Sequence, residues 1–176
     1  GLGAEVTLVS SRDRVLPGED PDAATLIENV FTNRGMNVLG KSRMASARRE
    51  GDQVVVTLTD GRTVTGSHCL LALGSIPNTT DIGLDEVGVA CDDGGFIAVD
   101  KVSRTNIPGV YAAGDCTGVF MLASVAAQQG RIAMAHLLGD AVHPLDLRKV
   151  SSNIFTSPEI AAVGLGHRQI EEQGLL

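Results

Sequence analysis

The stretch VYAAGDC, Val110–Cys116, decides how the rest of the chain is read. Its small apolar residues, Val110–Ala113, predict a buried strand. The strand runs into Gly114 and a lone acid, Asp115, and a helix-patterned apolar run follows at Leu122–Leu138. A core strand that ends this way has the form of a ligand floor. Small residues let a bulky ligand lie against the backbone, and Gly114 removes a side chain where the ligand passes. An ionised Asp115 accepts a hydrogen bond from a sugar-like hydroxyl. The first amides of the next helix offer unpaired donors and the positive end of a dipole, which suit a phosphate or a developing anion. Capping that helix is the alternative role for Asp115.

The totals narrow the class. With 176 residues, the chain can make one domain or parts of several. Aromatics are scarce, so the core is expected from Val, Leu, Ile and Ala, while 21 glycines imply many tight turns. A net charge of −7 gives no electrostatic reason to expect nucleic acid or an anionic membrane as partner. Gln128, Gln129, Gly130 and Arg131 interrupt the longest apolar run, which argues against a membrane span. The first residues lack the basic start and apolar stretch of a signal peptide. Cys69, Cys91 and Cys116 are far apart and form neither a CxxC nor a CxxxxC pair, so no local dithiol and no metal site is expected. They read as buried free thiols in a reducing compartment, and a cytoplasmic location is expected.

Along the chain, Gly1-Leu2-Gly3-Ala4 resembles a helix end with its glycine cap, and Glu5–Ser10 predicts a strand. Asp20-Pro21 opens a helix to about Arg34, with Leu26, Ile27 and Val30 on its apolar face and Gly35 ending it. Met36–Leu39 predicts a short strand. A meander follows, at Arg43–Arg49, Gln53–Thr59 and Arg62–Thr65, turning at Glu50-Gly51-Asp52 and Asp60-Gly61. Cys69–Leu73 and Phe96–Val99 predict further strands. Gly139–Pro144 is a break, after which two strand-like runs, Asn153–Thr156 and Ile160–Val163, precede a polar helix near His167. The order predicts an α/β protein with a β-meander crossover.

These pieces carry a family resemblance. Glu5-Val6-Thr7-Leu8-Val9, Leu73–Thr79, Ile107–Asp115, Met121-Leu122-Ala123 and Phe155–Gly164 resemble, in order and spacing, the middle of the pyridine nucleotide–disulfide oxidoreductases, such as lipoamide dehydrogenase, glutathione reductase and mercuric reductase. The resemblance covers essentially the whole chain. It implies partial FAD- and NAD(P)-binding domains of the Rossmann-like, three-layer ββα kind, with a β-meander and the start of an α+β dimerisation domain. Residues 1–79 would be the later part of the NAD(P)-binding domain, 80–146 the second segment of the FAD-binding domain, and 147–176 the start of the interface domain of a homodimer.

The resemblance also implies roles. Asp115, after Gly114, would accept from the ribityl chain of FAD. Met121, Leu122 and Ala123 would lie at the flavin, with Ala123 under the ring by its backbone, where the helix N-terminus favours negative charge. Gly74 would let the chain pass close to the nicotinamide nucleotide, and Met44 matches the position whose backbone meets adenine. NAD-dependent members end the strand matching Glu5–Ser10 in an acid that holds the ribose hydroxyls. Here Ser10 stands there, followed by Ser11 and Arg12, with Arg14 nearby. No carboxylate repels a 2′-phosphate and two guanidiniums could meet one, which tilts the expectation toward NADPH or use of both nucleotides, against the weight of Asp13.

Other family parts are not in this sequence. No GxGxxG is present, and His143-Pro144, superficially like the catalytic histidine site, falls in the linker without a suitably spaced Glu, as a surface turn would. The chain therefore reads as a fragment of a longer flavoenzyme, with no catalytic side chain of its own. Ser124 stands where lipoamide dehydrogenases typically carry His, which is similar to lipoamide-dehydrogenase-like NAD(P)H:quinone reductases. The expected function is FAD-mediated hydride transfer from NAD(P)H to a quinone-like acceptor. Dihydrolipoyl dehydrogenase or another disulfide reductase is the alternative, and a nucleotide-binding module without its own chemistry is a third reading.

Overall fold

The computed structural model describes residues 2–175, so the cap expected at Gly1 lies outside the described residues. Contacts divide the chain into one unit of Gly1–Ala72 with Asn153–Leu176 and a second of Leu73–Ser152.

The first unit opens on a βαβ element. Strand β1 (Thr7–Val9) pairs in parallel with β2 (Asn37–Leu39), with Leu8 opposite Val38, and helix α1 (Pro21–Asn33) connects them. Parallel neighbours need such a crossover. Backbone bonds extend the pairing: Asn37 N–H donates to Val6 O at 2.9 Å and Ser10 N–H to Leu39 O at 3.0 Å. Pro21 stands in the first turn of α1, where its missing N–H costs no helical bond. Gly35 follows the helix at φ +88°, a conformation glycine takes without a Cβ penalty. The buried residues of α1 are Ala24 and Ile27, whereas Leu26, expected on the same face, is exposed. Leu26 lies 100° round the helix from Ile27, and here that turn carries it past the edge of the buried stripe. Asp20 precedes the helix but makes no side-chain cap to it. Its Oδ1 instead accepts from His167 N–H at 2.8 Å, at the start of helix α4 (His167–Glu172). Before α4, strands β6 (Ser151–Ile154) and β7 (Ile160–Val163) pair as a two-stranded sheet.

The meander forms as expected, from β3 (Met44–Glu50), β4 (Gln53–Leu58) and β5 (Thr63–Gly66), antiparallel in sequence order. Gly51 takes φ +61° in the first turn and Gly61 φ +86° in the second. In the second turn the Asp60 carboxylate accepts from Arg62 N–H at 3.0 Å and pairs with its guanidinium at 2.7 Å. These bonds from Arg62 hold the Asp60 carboxyl below the usual carboxylate range.

The second unit gathers Val89, Ile97 and Ala112 into a core, with Leu84, Val99, Ile107, Val110 and Cys116 packed against it. It contains the short helix α2 (Leu84–Val87) and the longer helix α3 (Ala123–Leu137), which buries Val125, Gln129, Ile132 and Ala133.

Three expected strands do not form ladders. Cys69–Leu73 is irregular and exposed, with Leu70 at 90 % and Leu73 at 83 % accessibility. Phe96–Val99 has one bridge, Cys91 to Ile97, and Val110–Ala113 has one, Arg104 to Tyr111. The apolar patterns are those of strands buried on both faces, but a strand requires neighbours for its N–H and C=O groups. Among the described residues Phe96–Val99 bonds Ala90 and Asp92 on one side and Cys116 alone on the other, Val110–Ala113 bonds Ser103 and Thr105 on one side only, and Cys69–Leu73 has no backbone partner. The cysteines depart from expectation for the same reason. Cys69 and Cys91 are exposed and Cys116 is half-buried, so they are free thiols but not core residues. No helix among the described residues is long and apolar enough to cross a membrane, and no group of His, Cys, Asp and Glu there could hold a metal ion.

Candidate functional site

The Gly-Asp junction lies entirely within the second unit. Val110–Ala113 runs extended, with Ala112 N–H donating to Ser103 O at 3.1 Å. Gly114 then takes φ +90°, ψ −159°. This region is essentially closed to residues with a Cβ. A Cβ built there would also lie 3.3 Å from the Ala126 Cβ on α3. The glycine therefore serves both the backbone conformation and close packing on the helix. Asp115–Thr117 makes a 3₁₀ turn, closed by Thr117 N–H to Gly114 O at 3.0 Å. Asp115 does not cap α3. The residue preceding that helix is Leu122, extended at φ −129°, ψ 138° and without a side-chain cap. Hence the first N–H groups of α3, from Ala123 onward, have no partner within the helix.

A second contributor is the turn Asp92–Phe96. The Asp92 Oδ1 accepts from Gly94 N–H and Phe96 N–H, both at 2.9 Å. Ile97 N–H donates to Cys116 O at 2.9 Å, which joins this turn to the Asp115 segment. Thr79 Oγ1 donates to Gly95 O at 2.7 Å and anchors the loop after Gly74. The result is a cleft of about 290 Å³ lined by Ser75, Ile76, Pro77, Asn78, Phe96, Asp115, Cys116 and Met121. Asp115 is exposed there, and among the described residues no hydrogen bond or ion pair engages its carboxylate. Gly74 precedes the loop at φ +101°, with open space where a Cβ would stand. His143 is exposed in the irregular segment after α3 and is not among the lining residues.

The structure thus brings together Asp115, Gly114 and Met121, with Leu122 and Ala123 next in the chain. The sequence reading missed Phe96 and a buried pair behind the turn. Gly114 N–H donates to Gln129 Oε1 at 2.8 Å, and Gln129 Nε2 donates to Thr117 Oγ1 at 3.2 Å. The one signal for Gln129 was a polar residue at the spacing of Val125, Ile132 and Ala133 on the buried face of α3.

The other expected site residues belong to the first unit and are described within it. Ser10 Oγ accepts from Arg12 N–H at 3.2 Å, which shapes the turn after β1. Ser11 and Arg12 are exposed. Arg14 pairs with Asp13 at 3.6 Å, whereas no carboxylate among the described residues pairs with Arg12. Asp13 is thus paired with Arg14 rather than with Arg12. Met44 is half-buried at the start of β3, beside an irregularity in its pairing with β4.

Comparison with known proteins adds the decisive observation. The sequence model of the pyridine nucleotide-disulphide oxidoreductases matches residues 1–130. The chain belongs to this family. It is 54 % identical over 170 residues to an NAD(P)H dehydrogenase (quinone) of Mycobacterium tuberculosis, covering 97 % of this chain and 34 % of the relative. It is 38 % identical over 174 residues to a dihydrolipoyl dehydrogenase of Chlamydia pneumoniae, covering 99 % and 37 %. The crystal structure of LpdA from Mycobacterium tuberculosis superposes with a TM-score of 0.93 at 53 % identity, covering 98 % of this chain and 38 % of that one. The HOCl-induced flavoprotein disulfide reductase RclA of Escherichia coli gives 0.89 at 27 % identity, with 98 % and 40 % covered. The chain thus spans little more than a third of the length of these family members. The expected α/β class stands, with small sheets of two and three strands.

Proposed function

We propose that these residues are the central part of a flavoenzyme that passes hydride from NAD(P)H, through FAD, to a quinone-like acceptor. The observation that carries the reading is the unpartnered Asp115 carboxylate on the cleft, directly after a glycine whose position admits no Cβ. An exposed acid that no protein donor satisfies is an acceptor for a ligand hydroxyl, and FAD has such hydroxyls on its ribityl arm. Gly114 lets the turn pass close to α3, its missing Cβ facing Ala126, and so sets Asp115 at the cleft. The residues present therefore fit an FAD arm, and FAD when bound supplies the hydride chemistry. Asp115 would orient the arm, Met121 would line the cleft, and the free amides of Ala123 and its neighbours would favour negative charge beside the helix. In the first unit, Ser10, Ser11 and Arg12 would bind the ribose of the nicotinamide nucleotide and Met44 would lie at its adenine; in the second, Gly74 would let its nicotinamide half approach the backbone.

The quinone-like acceptor is favoured by the relative at 54 % identity, against 38 % for the dihydrolipoyl dehydrogenase. The same reading assigns 1–79, 80–146 and 147–176 to NAD(P)-binding, FAD-binding and interface domains, with homodimerisation through the last and a cytoplasmic location.

The test is Asp115→Ala in the whole protein. Losing a charge-assisted hydrogen bond of about 1.5–3 kcal/mol is expected to raise the FAD dissociation constant roughly 10- to 100-fold. Fluorescence titration of deflavinated protein measures it, and unchanged affinity would remove the assignment. Nucleotide preference has its own test. Ser10→Glu places a carboxylate where a 2′-phosphate would lie, and kcat/KM for NADPH is expected to drop about tenfold relative to NADH, a difference of about 1.4 kcal/mol. A ratio that does not move would exclude Ser10 as the selecting position.

A further inference from the structure

Behind the Gly-Asp turn lies a closed ring of hydrogen bonds that the proposed chemistry does not use directly. Gln129 is 2 % exposed, and it is not among the residues lining the cleft. Its Oε1 accepts from Gly114 N–H at 2.8 Å, and its Nε2 donates to Thr117 Oγ1 at 3.2 Å. Thr117 Oγ1 in turn donates to Gly114 O at 2.8 Å. One side-chain amide thus holds both polar groups of Gly114, one directly and one through Thr117. The direction of every bond is determined. Because Thr117 accepts from the amide, its single hydroxyl proton goes to Gly114 O. No buried side-chain nitrogen or oxygen among the described residues is left without a partner.

The location gives the ring its consequence. Gly114 occupies a region that glycine enters freely but does not hold unaided, so its torsions are set by the contacts around it. Asp115 is the next residue, so the torsions of Gly114 set where its carboxylate points. Closing the ring needs one acceptor and one donor on the same side chain, which the neutral amide provides. An ionised glutamate of the same shape has no proton for Thr117 and would bury a charge, while methionine neither donates nor accepts usefully.

We infer that Gln129 is a positioning residue for the flavin: by fixing the Gly114 turn to α3, it aims the Asp115 carboxylate into the cleft. The inference rests on the proposed FAD role of Asp115. Its test is a double-mutant cycle on the whole protein, with FAD affinity measured by titration of the deflavinated form. Gln129→Met is expected to weaken FAD about tenfold, and Thr117→Val to reproduce the loss, while Thr117→Ser, which keeps the hydroxyl, retains affinity. Gln129→Met added to Asp115→Ala is expected to cost nothing further, because there is no carboxylate left to aim. NADPH affinity, read separately, is expected to stay constant, whereas general loss of structure would lower both. If Gln129→Met does not fold, Thr117→Val and Thr117→Ser carry the comparison. Additive losses in the double variant, or full FAD affinity in Gln129→Met and Thr117→Val while Asp115→Ala loses it, would overturn the inference alone. Full affinity in Asp115→Ala would overturn the functional reading beneath it.

Discussion

Gly114→Ala is expected to destabilise the second unit by about 2–4 kcal/mol, from two independent sources. At φ +90° and ψ −159° the backbone is in territory that a β-carbon makes unfavourable. The new methyl would also meet the Ala126 Cβ at 3.3 Å, and the Ala126 methyl, fixed to the backbone of α3, has no rotamer by which to move aside. Relaxation can occur only by twisting Gly114 toward an ordinary conformation or by lifting the turn from the helix. Either movement stretches the 2.8 Å bond to Gln129 Oε1 and leaves a buried donor short of its acceptor. The check is a urea titration of the chain with Gly114→Ala beside the parent. The transition midpoint should drop with the slope unchanged. Gly139→Ala, also at positive φ but with open space around it, is the control for backbone strain without a clash. Equal losses in the two variants would show that packing against Ala126 contributes nothing.

The second large effect is expected at Gly118, which ends the 3₁₀ turn at φ +64°. A Cβ there would be 2.8 Å from Phe96 Cγ and 3.0 Å from Cδ1. Those atoms are at the root of an aromatic ring, which must move as a whole. Left-handed backbone costs roughly 1–2 kcal/mol for a residue with a Cβ, and overpacking adds about 1–3 kcal/mol, so Gly118→Ala is expected to lose about 2–4 kcal/mol. The distinguishing outcome is local. Phe96 lines the same cleft as Asp115, so a displaced ring changes its shape. Phe96→Ala removes the Cγ and Cδ1 that the methyl strikes. Gly118→Ala is therefore expected to cost less stability in the Phe96→Ala background than in the parent, measured by thermal melting. Equal costs in the two backgrounds would mean that the backbone term alone is responsible.

These two glycines mark how far the sequence could be read. Gly114 was expected to be where a ligand meets backbone; what the structure shows at its missing Cβ is α3, with Ala126 Cβ 3.3 Å away. Gly118 was not identified, because its constraint comes from Phe96, distant in sequence. The parallel β1–β2 pair, α1, the meander and α3 were legible because each declares itself in local periodicity and turn chemistry. Cys69–Leu73 shows the converse. Its apolar run has the composition of a strand, yet pairing is a property of neighbours, and no ladder forms. Asp20 is similar. Its position before Pro21 is that of a helix cap, but its carboxylate goes to His167 at the start of α4.

From the sequence alone came the α/β class, the family, the Gly-Asp junction and the absence of a carboxylate at Ser10, since all of these reside in residue types at short spacing. Only the tertiary structure decided that Gln129 and Thr117 close a ring around Gly114, that Phe96 lies against Gly118, and that the Asp20 carboxylate goes to His167. Buried hydrogen bonds and close contacts are made by residues brought together across the fold, and their partners are chosen by distance and direction, quantities that no local pattern of residue types contains.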